Sequence, residues 1–167
     1  MNYKRGNEVY NGLYVDYNGQ QIINPTEEML LTAGYLPVKE TAEERLVNAK
    51  RAKVAEIEAY SNSDAVNEFT FRGIKAWLTP DIRANYSTSL RAAEFVNKET
   101  LTFEICGQVV STSAHNARLL LAQIQLYADE TYMVTQQHKA AVMALNDIEA
   151  VLKYDYKTGY PAKLNFE

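Results

Sequence analysis

Three side chains could perform acid–base or nucleophilic chemistry near neutral pH: His115, His138 and Cys106. An imidazole titrates in this range, and a thiolate is both a nucleophile and a metal ligand. Neither histidine has a second metal-ligating residue three or four positions later, and a predicted long helix places the two at opposite ends. Cys106 lies on a predicted strand beside a turn with no adjacent basic run, so we expect a half-buried, unreactive residue.

Other catalytic patterns are equally weak in this chain. The segment Ser111-Thr112-Ser113 lacks the Gly-x-Ser-x-Gly elbow of hydrolases, and no glycine-rich phosphate loop occurs. The acidic pairs at 27/28, 43/44 and 129/130 are adjacent in sequence, so their side chains do not face each other on a helix. We therefore predict no catalytic, metal-binding or cofactor-binding residues and no enzymatic activity; a small enzyme of unknown reaction is the alternative.

Tyrosine is over-represented: it supplies 12 of the 18 aromatic side chains. Tyrosines are enriched at protein interfaces because they add contact area and keep a polar end. Two interpretations remain open, an interface role and the anchoring of both chain ends onto the fold. The interface candidates at the ends are Tyr3, Tyr10, Tyr14, Tyr17, Tyr154, Tyr156 and Tyr160.

Composition excludes several classes of protein. The chain has 167 residues, of which 47% are hydrophobic and 23% charged, as in an ordinary globular domain. The net charge of −4 and the absence of a basic block argue against nucleic acid or an anionic membrane as partner. A single cysteine rules out an internal disulfide, and no apolar run approaches the ~20 residues of a membrane helix. We also expect no secretion signal, because residues 1–8 are polar and charged.

Residues 1–38 are predicted to form a small ββα docking unit. Asn18-Gly19 is a type I′ hairpin signal, which sets Val15 opposite Ile22 and Tyr14 opposite Ile23. A helix with Asn24 as its cap and Pro25 in its first position should follow and end at Gly34.

Residues 39–62 are predicted to form a linker helix. Thr41 and Glu44 are spaced as a capping box, and the sequence that follows is rich in strong helix formers. Its apolar stripe is narrow because Lys50 and Lys53 interrupt it, which is typical of a coiled-coil seam. We expect this seam to join two or three copies through the interface candidates Leu46, Val54, Ile57 and Tyr60.

Residues 63–167 are predicted to form an α+β domain that repeats a ββα order. Hairpins at 69–78 and 101–112 are each followed by a helix, the first capped at Thr79-Pro80 and the second beginning near Ala114. Leu120, Ile124, Tyr127 and Ala128 mark one face of the second helix. We expect a single four-stranded antiparallel sheet with the helices on one face, and a last short helix after Asn146.

Several strings resemble a phage and prophage domain family of unknown function over about residues 45–166. They include residues 53–60 (KVAEIEAY), 135–142 (TQQHKAAV) and 154–166 (YDYKTGYPAKLNF). The resemblance implies a virion setting, in a tail, fibre or head-fibre accessory role, with other phage structural proteins as partners. It implies a location in the virion or in the host cytoplasm during assembly, and it supplies no catalytic residues.

The function predicted from these observations is a non-enzymatic structural or assembly protein that acts through protein–protein interfaces. The alternative is a module that binds a host-surface glycan or receptor through exposed tyrosines, which keep an apolar ring beside a polar hydroxyl.

Overall fold

A computed structural model describes residues 2–17 and 19–167, and its architecture is α+β, as predicted, with 50% helix and 22% strand. The chain divides into two units, Met1–Arg45 and Leu46–Glu167. The strands of the described residues form several small sheets.

The described residues of the first unit form five strands and a short helix. These are β1 (Asn2–Arg5), β2 (Glu8–Val9), β3 (Tyr14–Tyr17), β4 (Gln20–Ile23), α1 (Glu27–Thr32) and β5 (Leu36–Val38). The register of β3 and β4 confirms the hairpin prediction, with Val15 opposite Ile22 and Tyr14 opposite Ile23. The turn residue Asn18 lies outside the described residues. Strands β1, β2 and β5 form a second sheet in the order β2-β1-β5, which was not predicted because these strands are only two to four residues long.

The helix α1 begins later than predicted. Thr26, not Asn24, is its N-cap, and its hydroxyl accepts a hydrogen bond from the Met29 amide at 3.3 Å. Gly34 follows the helix with φ of +83°, the left-handed conformation expected of a glycine at this position. The small core of this unit comprises Tyr3, Val15, Leu30 and Tyr35.

The helix α2 (Ala42–Ser61) begins in the first unit and continues through the second. The capping box is present: the Thr41 amide donates to the Glu44 carboxylate at 2.8 Å, and the Glu44 amide donates to the Thr41 hydroxyl at 3.1 Å. In the second unit, apolar residues of this helix pack in a buried cluster, so the helix is not a solvent-exposed linker.

The remaining elements belong to the second unit. They are α3 (Asp64–Asn67), β6 (Phe69–Phe71), β7 (Ile74–Ala76), α4 (Pro80–Phe95), β8 (Thr100–Ile105), β9 (Gln108–Ser113), α5 (Ala114–Ala144), α6 (Ile148–Lys153) and β10 (Asn165–Phe166). Both predicted hairpins are present, as β6–β7 and β8–β9, and Thr79 caps α4 as predicted.

The prediction of one four-stranded sheet was wrong. Within the described chain, β8 and β9 pair only with each other, whereas β6 pairs with β7 on one side and, in parallel, with the C-terminal strand β10 on the other. The Thr70 and Arg72 amides donate to the carbonyls of Leu164 and Phe166 at 2.9 and 2.7 Å. Because the chain end occupies this edge of β6, the second hairpin cannot pair there.

Both hairpins and the helices α4 and α5 share the main core of the second unit. The strand β8 alternates as predicted, burying Leu101, Phe103 and Ile105. The other large buried side chains of this core are Phe69, Phe71, Leu78, Leu90, Val110, Leu121 and Ile124.

Candidate functional site

The 31-residue helix α5 carries two apolar stripes on opposite sides. At 1.5 Å per residue it is about 46 Å long, and the Ser113 hydroxyl caps its start by accepting from the Asn116 amide at 3.2 Å. The inner stripe is the buried set Ala117, Leu121, Ile124, Tyr127, Thr131, Thr135 and Val142. These residues face the cores of the second unit and account for one side of the helix.

The outer stripe is the exposed set Leu119, Leu126, Met133 and Ala140, which repeats every seven residues, together with Ala122 and Met143. Leu119 is 50% exposed, Leu126 68%, Met133 56% and Met143 58%. Since consecutive helix residues are about 100° apart, Leu126 lies about 200° around the axis from the buried Ile124. A solvent-exposed apolar repeat of seven residues is typical of a helix face that packs against another helix.

One carboxylate interrupts the outer stripe near its middle. Asp129 lies three residues after Leu126, where the repeat would place an apolar side chain, and Gln125 Nε2 donates to its Oδ1 at 2.8 Å. Two copies packed in parallel and in register would bring their Asp129 carboxylates together, which is unfavourable. Two copies packed antiparallel about Thr131 would instead set Asp129 opposite Met133.

The basic residues that flank the outer stripe are neutralised within the chain. Arg118 forms an ion pair with Glu94 at the end of α4, and Lys139 forms one with Glu58 on α2. The next residue after Glu94, Phe95, is 89% exposed and adds a further apolar side chain near the end of α4. A partner of this face therefore meets apolar and acidic groups rather than free cations.

The predicted seam on α2 is used within the chain. Ile57 is fully buried against Val142 and Val151, and the half-buried Leu46 and Val54 pack on the same cluster. Tyr60 makes edge-on contacts with Tyr156 and Tyr160, each with ring centroids 5.7 Å apart. The stripe was visible in the sequence, but these side chains meet α5, α6 and the tail of their own chain.

The C-terminal tyrosines hold the tail against α5. Tyr154 Oη lies 2.9 Å from His138 Nδ1, and Tyr160 Oη lies 3.0 Å from Thr135 Oγ1. His138 Nε2 lies 2.9 Å from the Thr158 carbonyl, which can only accept, so Nε2 carries a proton; in the neutral imidazole, Nδ1 then accepts from Tyr154. Burial, and then Asp155, raises the pKa of Tyr154. Both ring nitrogens of His138 are thus occupied in structural hydrogen bonds.

The N-terminal tyrosines mostly pack within the first unit. Tyr3 is buried, Tyr10 makes an edge-on contact with Tyr35 at 6.1 Å, and Tyr17 is half-buried on the same core. Tyr14 is exposed. This placement agrees with the interpretation that the tyrosines anchor the two ends of the chain onto the fold.

The groups first considered for chemistry are not brought together. His115 is exposed in the first turn of α5, and Cys106 is exposed in the β8–β9 turn with φ of +49°, not half-buried on a strand as expected. Among residues 2–17 and 19–167, no three or more His, Cys, Asp or Glu side chains are grouped so that they could hold a metal ion. Over the same residues, no helix is long and apolar enough to cross a membrane.

Comparison with known proteins adds no assignment. No family model matches the chain, and no curated protein or solved structure is significantly similar to it.

The outer stripe of α5 was not predicted from the sequence. Its signal was present, since Leu119, Leu126, Met133 and Ala140 are spaced by seven residues. The residues of the inner stripe share this spacing. The spacing therefore predicts an apolar face on the helix but does not separate the two stripes. Only burial distinguishes the stripe that packs inward from the stripe left exposed.

Proposed function

We propose that the protein is a non-enzymatic phage or prophage structural or assembly protein, in a tail, fibre or head-fibre accessory role, that acts through protein–protein interfaces. The exposed outer stripe of α5 is the observation that carries the proposal. The virion setting rests on the sequence strings that resemble the phage and prophage family.

The occupant that we propose for the outer stripe is a second copy of the chain. The stripe runs from Leu119 to Met143, 24 positions later and about 36 Å along the helix, which is long enough for a helix-pair seam of three heptads. A two-fold axis near Thr131 sets Leu119 opposite Met143 and Asp129 opposite Met133. This antiparallel arrangement keeps the acidic side chains of the two copies apart.

Light scattering coupled to size exclusion tests the self-association. We expect a dimer for the full chain and a monomer for Leu126→Asp, because an additional carboxylate in the seam would be desolvated without a partner. Leu152→Asp is the matched control, since Leu152 is 55% exposed and belongs to α6 rather than to the outer stripe of α5. A monomeric full chain, or equal dissociation by both substitutions, would contradict the proposed seam.

Disulfide cross-linking tests the orientation. In a Cys106→Ser background, Leu119→Cys and Met143→Cys should each remain uncross-linked alone, because the two ends lie about 36 Å apart in an antiparallel pair. An equimolar mixture should cross-link. Cross-linking of each variant with itself would show a parallel pair and contradict the orientation.

Mass spectrometry of purified particles tests the virion setting. The protein should be present at a constant ratio to the major structural proteins of the phage that encodes it. Its absence from washed particles and from assembly intermediates would contradict a structural or assembly role.

A further inference from the structure

A cavity of about 160 Å³ lies in the second unit, where the end of α2, the short helix α3, the start of α4 and the middle of α5 meet. Its lining includes Asn62, Asn67, Trp77, Arg83 and Tyr132. A cavity of roughly 150 Å³ can hold a benzene molecule, so this one is suited to a ring-sized group. The cavity is separate from the residues that define the outer stripe.

Arg83 supplies a partly desolvated cation to this cavity. Its Nη1 donates to the Leu78 carbonyl at 2.8 Å and its Nε to Gln125 Oε1 at 3.2 Å. Within the described part of the chain it forms no ion pair and its Nη2 has no acceptor. Burial lowers the pKa of Arg83, while the more distant Asp129, held by Gln125, acts in the opposite direction. A guanidinium in this setting favours an anionic ligand, and a carboxylate matches its planar geometry.

The N-terminus of α4 adds to the positive potential of the cavity. Thr79 caps this 16-residue helix, and Pro80, its first residue, is part of the cavity lining. The helix dipole places partial positive charge at this end, one turn from Arg83. Two independent features therefore favour negative charge in the same place.

Trp77 contributes an unpaired donor and an aromatic wall. Its indole Nε1 is buried, and among the described residues it has no hydrogen-bond partner. An unsatisfied buried donor is costly, so a ligand oxygen that displaces the atoms covering Nε1 would gain a hydrogen bond. The exposed ring of Tyr132 adds a second aromatic surface to the lining.

The two asparagines supply acceptors. The Asn62 amide nitrogen donates to the Glu58 carbonyl at 3.0 Å, and the Asn67 amide nitrogen donates to the carbonyls of Ser61 and Ser63 at 2.6 and 3.0 Å. These bonds orient both side chains and leave their Oδ1 atoms without a donor in the described structure. Carbonyl oxygens of this kind accept hydrogen bonds from hydroxyl groups.

We propose that this cavity binds a sugar acid, a ring-sized, hydroxylated carboxylate such as a hexuronate unit. The carboxylate pairs with Arg83, the hydroxyl groups donate to Asn62 and Asn67, and the ring lies against Trp77 and Tyr132. This proposal is independent of the self-association of α5, and each can fail without the other.

The experiment uses Trp77 as its reporter, because it is the only tryptophan of the 167-residue chain. The indole resonance of the ¹⁵N-labelled full chain is followed by NMR during titration with glucuronate. Glucose, which lacks the carboxylate, and cyclohexanecarboxylate, which lacks the hydroxyl groups, are titrated in parallel. We expect a saturable shift with glucuronate and binding weaker by about tenfold or more for each comparison compound.

Two substitutions test the assigned contacts. Arg83→Gln should weaken glucuronate binding by about tenfold or more, since a charge-assisted pair is lost. Arg91→Gln removes the same charge from an exposed position of the same helix and should leave the affinity unchanged. Asn62→Asp, at an exposed position, places a negative charge at the cavity and should weaken binding even if Arg83→Gln does not fold.

Four results would overturn the proposal. The first is the absence of a saturable shift with glucuronate up to about 10 mM, roughly ten times a weak dissociation constant of about 1 mM. The second is equal binding of glucose, which would remove the role of the carboxylate. The third is equal binding of cyclohexanecarboxylate, which would remove the role of the hydroxyl groups. The fourth is unchanged affinity in a folded Arg83→Gln or, where that variant does not fold, in Asn62→Asp.

Discussion

Single side chains join α2, α5 and α6 into one packed cluster. Ile57, Val142 and Val151 are completely buried and come from these three helices. Around them, Lys50 Nζ donates to the Met143 carbonyl at 2.8 Å, and Lys53, buried along its length, pairs with Glu56 at 2.7 Å. The two lysines that interrupt the apolar stripe of α2 in the sequence thus have partners in the folded chain.

At the residue scale, Ile57→Ala should lower the free energy of unfolding by about 2–5 kcal/mol, because it removes buried methyl groups and leaves a cavity. Val47→Ala is the matched control on the same helix; Val47 is 48% exposed, so its change should stay within about 0.5 kcal/mol. Urea unfolding of both variants measures the difference. Equal destabilisation would mean that α2 is not packed in solution as described.

At the scale of elements, the C-terminal tail is an integral part of the second unit. Its strand β10 completes the edge of β6, and the rings of Phe166 and Phe69 pack edge-on with centroids 5.7 Å apart. Lys163 Nζ lies 3.2 Å from the Glu68 carboxylate, which also pairs with Lys75. Hydrogen bonds from Lys75 and then Lys163 lower the pKa of Glu68.

Hydrogen exchange tests the pairing of the tail. The Thr70 and Arg72 amides should be protected from exchange in the full chain. In Phe166→Ala they should exchange about tenfold faster or more, because the loss of the half-buried ring weakens the pairing of β10 with β6. The amides of β8 and β9 should change less. Phe95→Ala, the same substitution at an exposed position, serves as control. Fast exchange of Thr70 and Arg72 in the unsubstituted chain would contradict the β10–β6 pairing.

At the scale of the whole molecule, the described cores are confined to single units. The cluster of Tyr3, Val15, Leu30 and Tyr35 belongs to the first unit, whereas the two larger clusters belong to the second. A unit of about 45 residues buries too little apolar surface for much stability by itself. The outer stripe and the cavity at Arg83 both lie in the larger unit.

The fragment 41–167 should therefore fold independently. It retains Thr41, the cap of α2, and both clusters of the second unit. We expect its backbone amide resonances for residues 60–167 to coincide with those of the full chain, and its unfolding to remain cooperative. Poorly dispersed amide resonances for the fragment, as in an unfolded chain, would show that the larger unit requires residues 1–40.

The sequence by itself determined the features that depend on near neighbours. The capping box of Thr41 and Glu44, the cap Thr79 and the register of the β3–β4 hairpin involve residues a few positions apart, so local types and spacing suffice. The alternation of β8 is local in the same sense.

Tertiary structure alone decided which surfaces are covered. The pairing of β10 with β6 joins segments about 95 residues apart, and the stripe of α2 is buried by α5 and α6 from the far end of the chain. On α5, two stripes share one heptad spacing, and only long-range packing buries one and exposes the other. The cavity at Arg83 likewise exists only where four helices meet. Such contacts depend on complementary surfaces distant in sequence, which periodicity and capping signals do not encode.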